Sequence, residues 1–357
     1  MNRIACMFVL AGAAASTLPG VALAGSPGAP TTVSGIFGKT YSATRWSLAG
    51  DLGTTSTNAN RAVVIEGMAI YNGQLWIHGD DDPGQFESRI LRYDNINSPV
   101  AGAVSNFSQP NVVAINGSIG SEGITINRGT TGYGAFTGNA PTIIALEGSA
   151  PNLRRGLINT ATTTASLTTT ALPASIEGDD IAWLPSTGGF AVLQKQNGGS
   201  TPRGVALYDS SFNQIANSYF RTENIDLDPG ASTFVIPRGG RALTAISHTF
   251  AAGLLGLTQL AAGDYLIIPS DRFVSGDAAN SRCMVIMGLD GKFIGSTIVQ
   301  FPSAIGDVQG FTVDESTNTL FFGDQVNFAV WAVQVPTPGA AALLGLAGLT
   351  AARRRRA

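Results

Sequence analysis

Apolar and polar residues between positions 25 and 335 do not line up on one face of a helix. They form short runs that are wholly apolar or that alternate, and Gly, Asn, Asp and Pro interrupt them at close intervals. Thr142-Ile143-Ile144-Ala145-Leu146 is one such run, and Arg89-Ile90-Leu91-Arg92-Tyr93 is another. Short buried or alternating runs suit strands, and those four punctuating residue types suit turns. The pattern predicts an all-β body without a long helix.

The runs repeat. Glu66-Gly67, Glu122-Gly123 and Glu177-Gly178 each open a strand, at spacings of 56 and 55 residues. A second strand follows each opening, then a third. A looser unit opens at Gln259, 82 residues after Glu177, and another at Gln309-Gly310, 50 residues later. A repeat of about 50 residues carrying three or four strands fits a propeller blade. The expected fold is therefore an all-β propeller of five to six four-stranded blades. The 82-residue gap holds either an insertion or one degenerate blade near residues 233–247. Residues 34–52 precede the first unit and are expected to close the ring against the last one, which removes sheet edges. A β-sandwich or solenoid is the rival fold, and a sandwich leaves the regular Glu-Gly spacing unexplained. The Thr-rich stretch 159–170 reads equally well as an outer strand or an exposed loop.

The tract of Glu-Gly, apolar strand, turn and aromatic strand ending in Asp resembles secreted β-propellers of the phytase-like and esterase-like group. The unit from Gln309-Gly310-Phe311 to Gly323-Asp324 shows it best. The resemblance implies a fold; fold alone does not imply function.

Both ends of the chain read as addresses. Residues 1–24 hold Arg3, an apolar stretch and the ending Ala22-Leu23-Ala24. That is the pattern of a cleavable signal helix, removed by signal peptidase. A buried N-terminal helix is the alternative, but it calls for a polar face that this stretch lacks. Residues 336–357 read Pro336-Thr337-Pro338, then a short apolar helix over 340–352, then Arg353 to Arg356. Thirteen residues fall short of the roughly 20 that a relaxed span needs. This tail resembles the PEP-CTERM sorting signal, although that family usually has Glu between the prolines. The resemblance implies bacterial export and transient membrane anchoring, with an exosortase-type transpeptidase acting on the tail at a polysaccharide-rich cell surface. A plain tail anchor is the alternative. Either way, residues 25–335 form the propeller domain and lie outside the cytoplasm.

Composition narrows the function classes. Charged residues are 13% of the chain, and 44 of its 357 residues are Gly. Removing Arg3 and Arg353 to Arg356 lowers Lys+Arg from 21 to 16 against 24 Asp+Glu, a net charge of about −8. A body so acidic disfavours nucleic acid, which needs a basic footprint. Two His and two Cys, one of them in the leader, leave little for a zinc site.

The candidate chemistry lies at the strand openings. In a propeller the first strand of each blade lines the axis, so Glu66, Glu122, Glu177 and Gln309 are expected to meet there. Converging carboxylates repel unless a cation sits between them, and calcium takes hard oxygen ligands in flexible geometry. The plain alternative is that each Glu bonds local backbone or water. Asp80, Asp271 and Asp324 end the following strands and read either as turn residues or as a second cation site. His78 could act as a general base beside Asp80, Asp81 and Asp82. No Gly-x-Ser-x-Gly elbow accompanies it. Phosphate-binding basic residues of the phytase-like group find no match among Lys39, Lys195, Lys292, Arg89, Arg203, Arg272 and Arg282. Trp76, Trp183 and Trp331 are expected to pack between blades, and Cys283 to act as a small buried hydrophobe. Two functions follow. One is a non-enzymatic surface protein that binds polysaccharide or an envelope protein. The other is a calcium-dependent hydrolase of phosphate or carboxylic esters.

Overall fold

The computed structural model describes residues 26–47, 64–71, 73–80, 89–93, 111–114, 122–127, 141–146, 152–157, 168–171, 178–194, 204–221, 242–269, 280–327 and 329–335. Residues 1–24 and 336–357 lie outside them. Among the described residues no helix is long and apolar enough to cross a membrane.

The described chain begins with β1 (Ser26–Pro27), β2 (Thr31–Ile36) and β3 (Lys39–Ser47). Phe37 and Gly38 both take positive φ, 44° and 76°, which gives the β2–β3 hairpin the twist a tight turn needs. Antiparallel meanders follow. The first is β4 (Val64–Tyr71), β5 (Gln74–Asp80), β6 (Arg89–Tyr93) and β7 (Asn111–Ala114). The second is β8 (Ile124–Asn127), β9 (Thr142–Leu146), β10 (Asn152–Leu157) and β11 (Thr168–Ala171). Thr168 to Ala171 are thus an outer strand, one of the two readings open for the Thr-rich stretch. The third is β12 (Gly178–Leu184), β13 (Gly189–Gln194), β14 (Gly204–Tyr208) and β15 (Gln214–Arg221).

The fourth meander corrects the sequence reading. Its inner strand is β16 (Thr244–Ser247), followed by helix α1 (His248–Leu255), then β17 (Asp264–Pro269), β18 (Ser281–Gly288) and β19 (Phe293–Gln300). Gln259 therefore does not open a strand. The segment that read as either an insertion or a degenerate blade supplies this inner strand at Thr244–Ser247, and the helix adds length to the unit. Local caps define the helix. The Ser247 hydroxyl accepts from Phe250 N at 3.2 Å, and Gly256 closes the other end at φ 71°. Three of its eight residues are Ala or Gly, and so short a segment shows no periodic stripe.

The last meander is β20 (Val308–Asp314), β21 (Thr319–Asp324) and β22 (Ala329–Gln334). Its fourth strand comes from the N-terminus. β3 pairs with β22 from Ala329↔Ser47 to Gln334↔Ser42. β2 continues past β3 to meet β19 at Gln300↔Ser34, so the fourth and last meanders join in one sheet. The inner strands touch in a ring: β4 on β8, β8 on β12, β12 on β16, β16 on β20 and β20 on β4. Four-stranded meanders radiating from a ring of first strands, closed by an N-terminal strand, make an all-β propeller.

This geometry explains the apolar runs. Each sheet is covered on both faces, so neighbouring residues on a strand enter different cores. Ile144 and Leu146 pack with Trp183 and Phe190 of the third meander, while Ile143 and Ala145 pack with Trp76 and Ile90 of the first. Met287 and Val285 face Leu184 and Leu193, while Ile286 and Met284 face Phe311 and Trp331. Trp76, Trp183 and Trp331 are all buried between sheets, and so is Cys283. Arg282 is buried too, and its guanidinium donates to the carbonyls of Ser281, Ile305 and Gly306, across the seam between the fourth and last meanders.

Candidate functional site

The axial ends of the inner strands share one local device. Between Ile65 and Gly67 the ladder of β4 with β5 slips by one residue, so Glu66 is the extra residue of a bulge. The same slip makes Gln309 the extra residue in β20, and Asp179 in β12. Ahead of β8, Glu122 N and Gly123 O both bond to Leu146, so two residues oppose one there as well. The bulges align Glu66, Glu122, Asp179 and Gln309. Equal spacing in the sequence puts Glu177 in that set. The register puts Asp179 there instead, two residues on, and Glu177 lies outside the described residues.

The next residue in each strand sets how closely the strands approach. A Cβ on Gly310 would lie 2.7 Å from Met68 Cγ and 2.8 Å from Ile65 Cγ2. On Gly67 it would lie 2.7 Å from Gly123 Cα. On Gly123 it would lie 2.0 Å from Asp180 Oδ1 and 2.3 Å from Asp180 Cα. These distances are shorter than carbon and oxygen atoms tolerate, so glycine is what lets one inner strand lie against the next.

Polar groups then cross each seam. His78 Nδ1 lies 2.7 Å from the carbonyl of Glu122, joining the first meander to the second. Gly123 N donates to Asp179 O at 2.9 Å, joining the second to the third. Asp180 Oδ2 accepts from Leu243 N at 2.7 Å, joining the third to the fourth. Gln325 Nε2 donates to Glu66 Oε1 at 2.8 Å and accepts through Oε1 from Gln309 Nε2 at 2.6 Å, joining the last meander to the first. Of the residues singled out by the repeat, Glu66, Glu122 and Gln309 are therefore brought to one end of the axis, where Glu66 and Gln309 link through their side chains and Glu122 through its carbonyl.

Their electrostatics follow from burial. Asp180 is fully enclosed, and loss of water pushes its pKa well above the usual range. The N–H groups of Leu243 and Ile181 oppose that rise, and the nearby charges of Asp179 and Glu122 add to it. His78 is 1% exposed, and burial lowers its pKa from 6.5 to about 4 against the carbonyls of Glu122 and Gly123. A carbonyl only accepts, so Nδ1 carries the hydrogen and His78 is neutral at pH 7. Between about pH 4 and 6.5 the unfolded chain binds more protons at this residue than the folded one. Stability contributed here is therefore lost as the pH falls through that window, by roughly 3 kcal/mol at full protonation. Asp180 acts in the opposite sense, since its raised pKa favours folding at low pH. Denaturant titrations of the native chain and His78→Gln from pH 7 to 4 remove the Asp180 effect, which both chains share. The expected difference is a steeper acid loss in the native chain. Parallel curves would contradict a buried neutral His78.

Among the described residues, no group of three or more His, Cys, Asp or Glu side chains is arranged to hold a metal ion. Of the second set of carboxylates, only the Asp324 side chain is among the described residues. Asp324 is fully buried and accepts from Gly306 N at 2.9 Å and from Asn327 N at 3.1 Å, as a turn-forming aspartate does. The Asp80 side chain and the whole of Asp271 lie outside the described residues, as do Lys195, Arg203 and Arg272. Lys39 binds the carbonyls of Gly253 and Leu254 at the end of α1, where the helix dipole favours a cation. Lys292 pairs with Asp290 at 2.8 Å on the surface.

Beyond the glycine layer the axis opens into a cavity of about 250 Å³. The middle and C-terminal parts of all the inner strands line it. Its apolar wall includes Ile70, Ile126 and Trp183, and Thr125 and Thr312 supply hydroxyls. Asp264 and Glu315 supply two carboxylates. No sequence motif marked this cavity. Its polar residues come from separate units and share no spacing.

No family model matches the chain, and no curated protein matches it in sequence. Among solved structures the chain is similar to a gluconolactonase from Xanthomonas campestris. That match has 12% identity and a TM-score of 0.37 over 82% of this chain and 90% of the other. It is also similar to a candidate 6-phosphogluconolactonase from Bacteroides uniformis, at 12% identity and a TM-score of 0.35 over 81% and 85%.

Proposed function

We propose that the chain is an exported five-bladed propeller, delivered by residues 1–24 and sorted at the cell surface through residues 336–357. There it works as a binding protein for extracellular polysaccharide or an envelope partner. The observation that carries this reading is the division of labour along the axis. The repeated Glu, Gln, Asp and Gly residues tie neighbouring blades together at one end, and His78 is buried in the same links. The other end offers a recess with apolar and hydroxyl walls, suited to a small polar ligand. Calorimetric titration of residues 25–335 with fragments of acidic, neutral and amino-sugar polysaccharides tests it. Saturable binding of at least one class is expected. Absence of binding to all of them, with ester hydrolysis detected instead, would overturn it.

A second reading is a calcium-dependent hydrolase. The like charges of Asp179, Asp180 and Glu122 favour it, because a cation among them would relieve their repulsion. Carboxylate and amide oxygens are the donor type calcium takes. The described side chains do not form a set of three that could hold one, and no step is assigned to such an ion.

A further inference from the structure

Asp264 is 7% exposed, yet it lines the axial cavity. Its Oδ2 accepts from Ser186 N at 2.9 Å and Ser186 Oγ at 2.6 Å. Its Oδ1 takes no hydrogen bond from any described residue. Glu315 stands on the same cavity, fixed by Ser247, whose N and Oγ each lie 2.6 Å from one of its oxygens. Among the described residues no Lys or Arg lines the cavity. Two carboxylates in one recess without a cationic side chain beside them call for positive charge. Inorganic cations need several ligands at once, and among the described residues no three such side chains are grouped to hold one. An ammonium group needs two or three acceptors; the cavity wall offers the Asp264 and Glu315 carboxylates, and Thr125 Oγ1, which already accepts from Trp183 N at 3.0 Å, keeps a second lone pair. A dry cavity of about 150 Å³ takes up benzene, so about 250 Å³ has room for one substituted six-membered ring.

We infer that the axial cavity binds a protonated primary amine carried on a ligand no larger than one sugar ring. This rests on the binding-protein reading and deepens it by naming the class of ligand. The same ammonium chemistry is found in amino sugars and in simple aliphatic amines.

The test titrates residues 25–335 with glucosamine, N-acetylglucosamine, glucose and butylamine. Glucosamine is expected to bind at least tenfold more tightly than its two neutral relatives, and its affinity is expected to fall with added salt. Asp264→Asn and Glu315→Gln keep the shape of the site and are each expected to weaken glucosamine binding at least tenfold. An unchanged melting temperature in both variants separates this effect from misfolding. Butylamine binding as tightly as glucosamine would assign the cavity to amines in general; weaker binding assigns it to amino sugars. Equal binding of glucosamine and glucose would overturn the amine inference and leave the binding-protein reading standing. Binding of none of the four, while longer polysaccharides still bind, would do the same. Failure of every saccharide, long and short, would remove both.

Discussion

A chain that begins at residue 48 is expected to show no cooperative unfolding transition. Residues 26–47 contribute the fourth strand of the last blade, in six consecutive pairs with β22. They also bury Val33, Ile36, Tyr41 and Trp46. Burial of a large apolar side chain contributes about 1.5–3 kcal/mol. Four such side chains amount to roughly 6 kcal/mol or more, which is comparable with the whole stability of a typical domain. The same residues hold two further contacts. Lys39 reaches the end of α1, and Thr297 Oγ1 bonds both Phe37 N and the carbonyl of Gly35. Without them β22 is left as an open edge, a template for aggregation. Circular dichroism melts of residues 48–335 check this, and a peptide of residues 26–47 added in trans is expected to restore part of the transition. A cooperative melt within a few degrees of the full body would contradict ring closure by the N-terminal strand.

Gly123→Ala is expected to lose about 3 kcal/mol or more, the upper end of the range for overpacking. The added methyl meets Asp180 Cα at 2.3 Å, and backbone cannot rotate away as a side chain can. Separation of the two strands would also break the bond from Gly123 N to Asp179 O, and would disturb the Asp180 carboxylate that holds Leu243 N. One methyl group thus acts on two seams. Equilibrium denaturation in urea reads the effect as a lower midpoint with little change in slope. A loss below about 0.5 kcal/mol would mean that the inner strands are not in close contact at this layer.

These residues also explain what the sequence could and could not reveal. The openings at Glu66, Glu122 and Gln309 were legible because a bulge followed by glycine is a backbone requirement, and such requirements repeat. The third opening was misplaced by two residues, since Asp180 stands where the other strands have glycine. The fourth was illegible: Ala242-Leu243 carries neither Glu nor Gly, and α1 lengthens the unit. Ring closure by the N-terminal strands was readable from their position before the first unit. The axial cavity was not, because Thr125, Asp264 and Glu315 become neighbours only after the ring closes.

Blades joined by hydrogen bonds at the repeated openings are expected to hold together without a bound cation. The most direct test is thermal unfolding of residues 25–335 in calcium and in chelator, for the native chain and for Glu122→Gln. A ligand held only by the folded state must raise the midpoint by mass action. The same midpoint is expected with calcium and with chelator. A large calcium-dependent rise that disappears in Glu122→Gln would contradict it and put a metal ion on the axis.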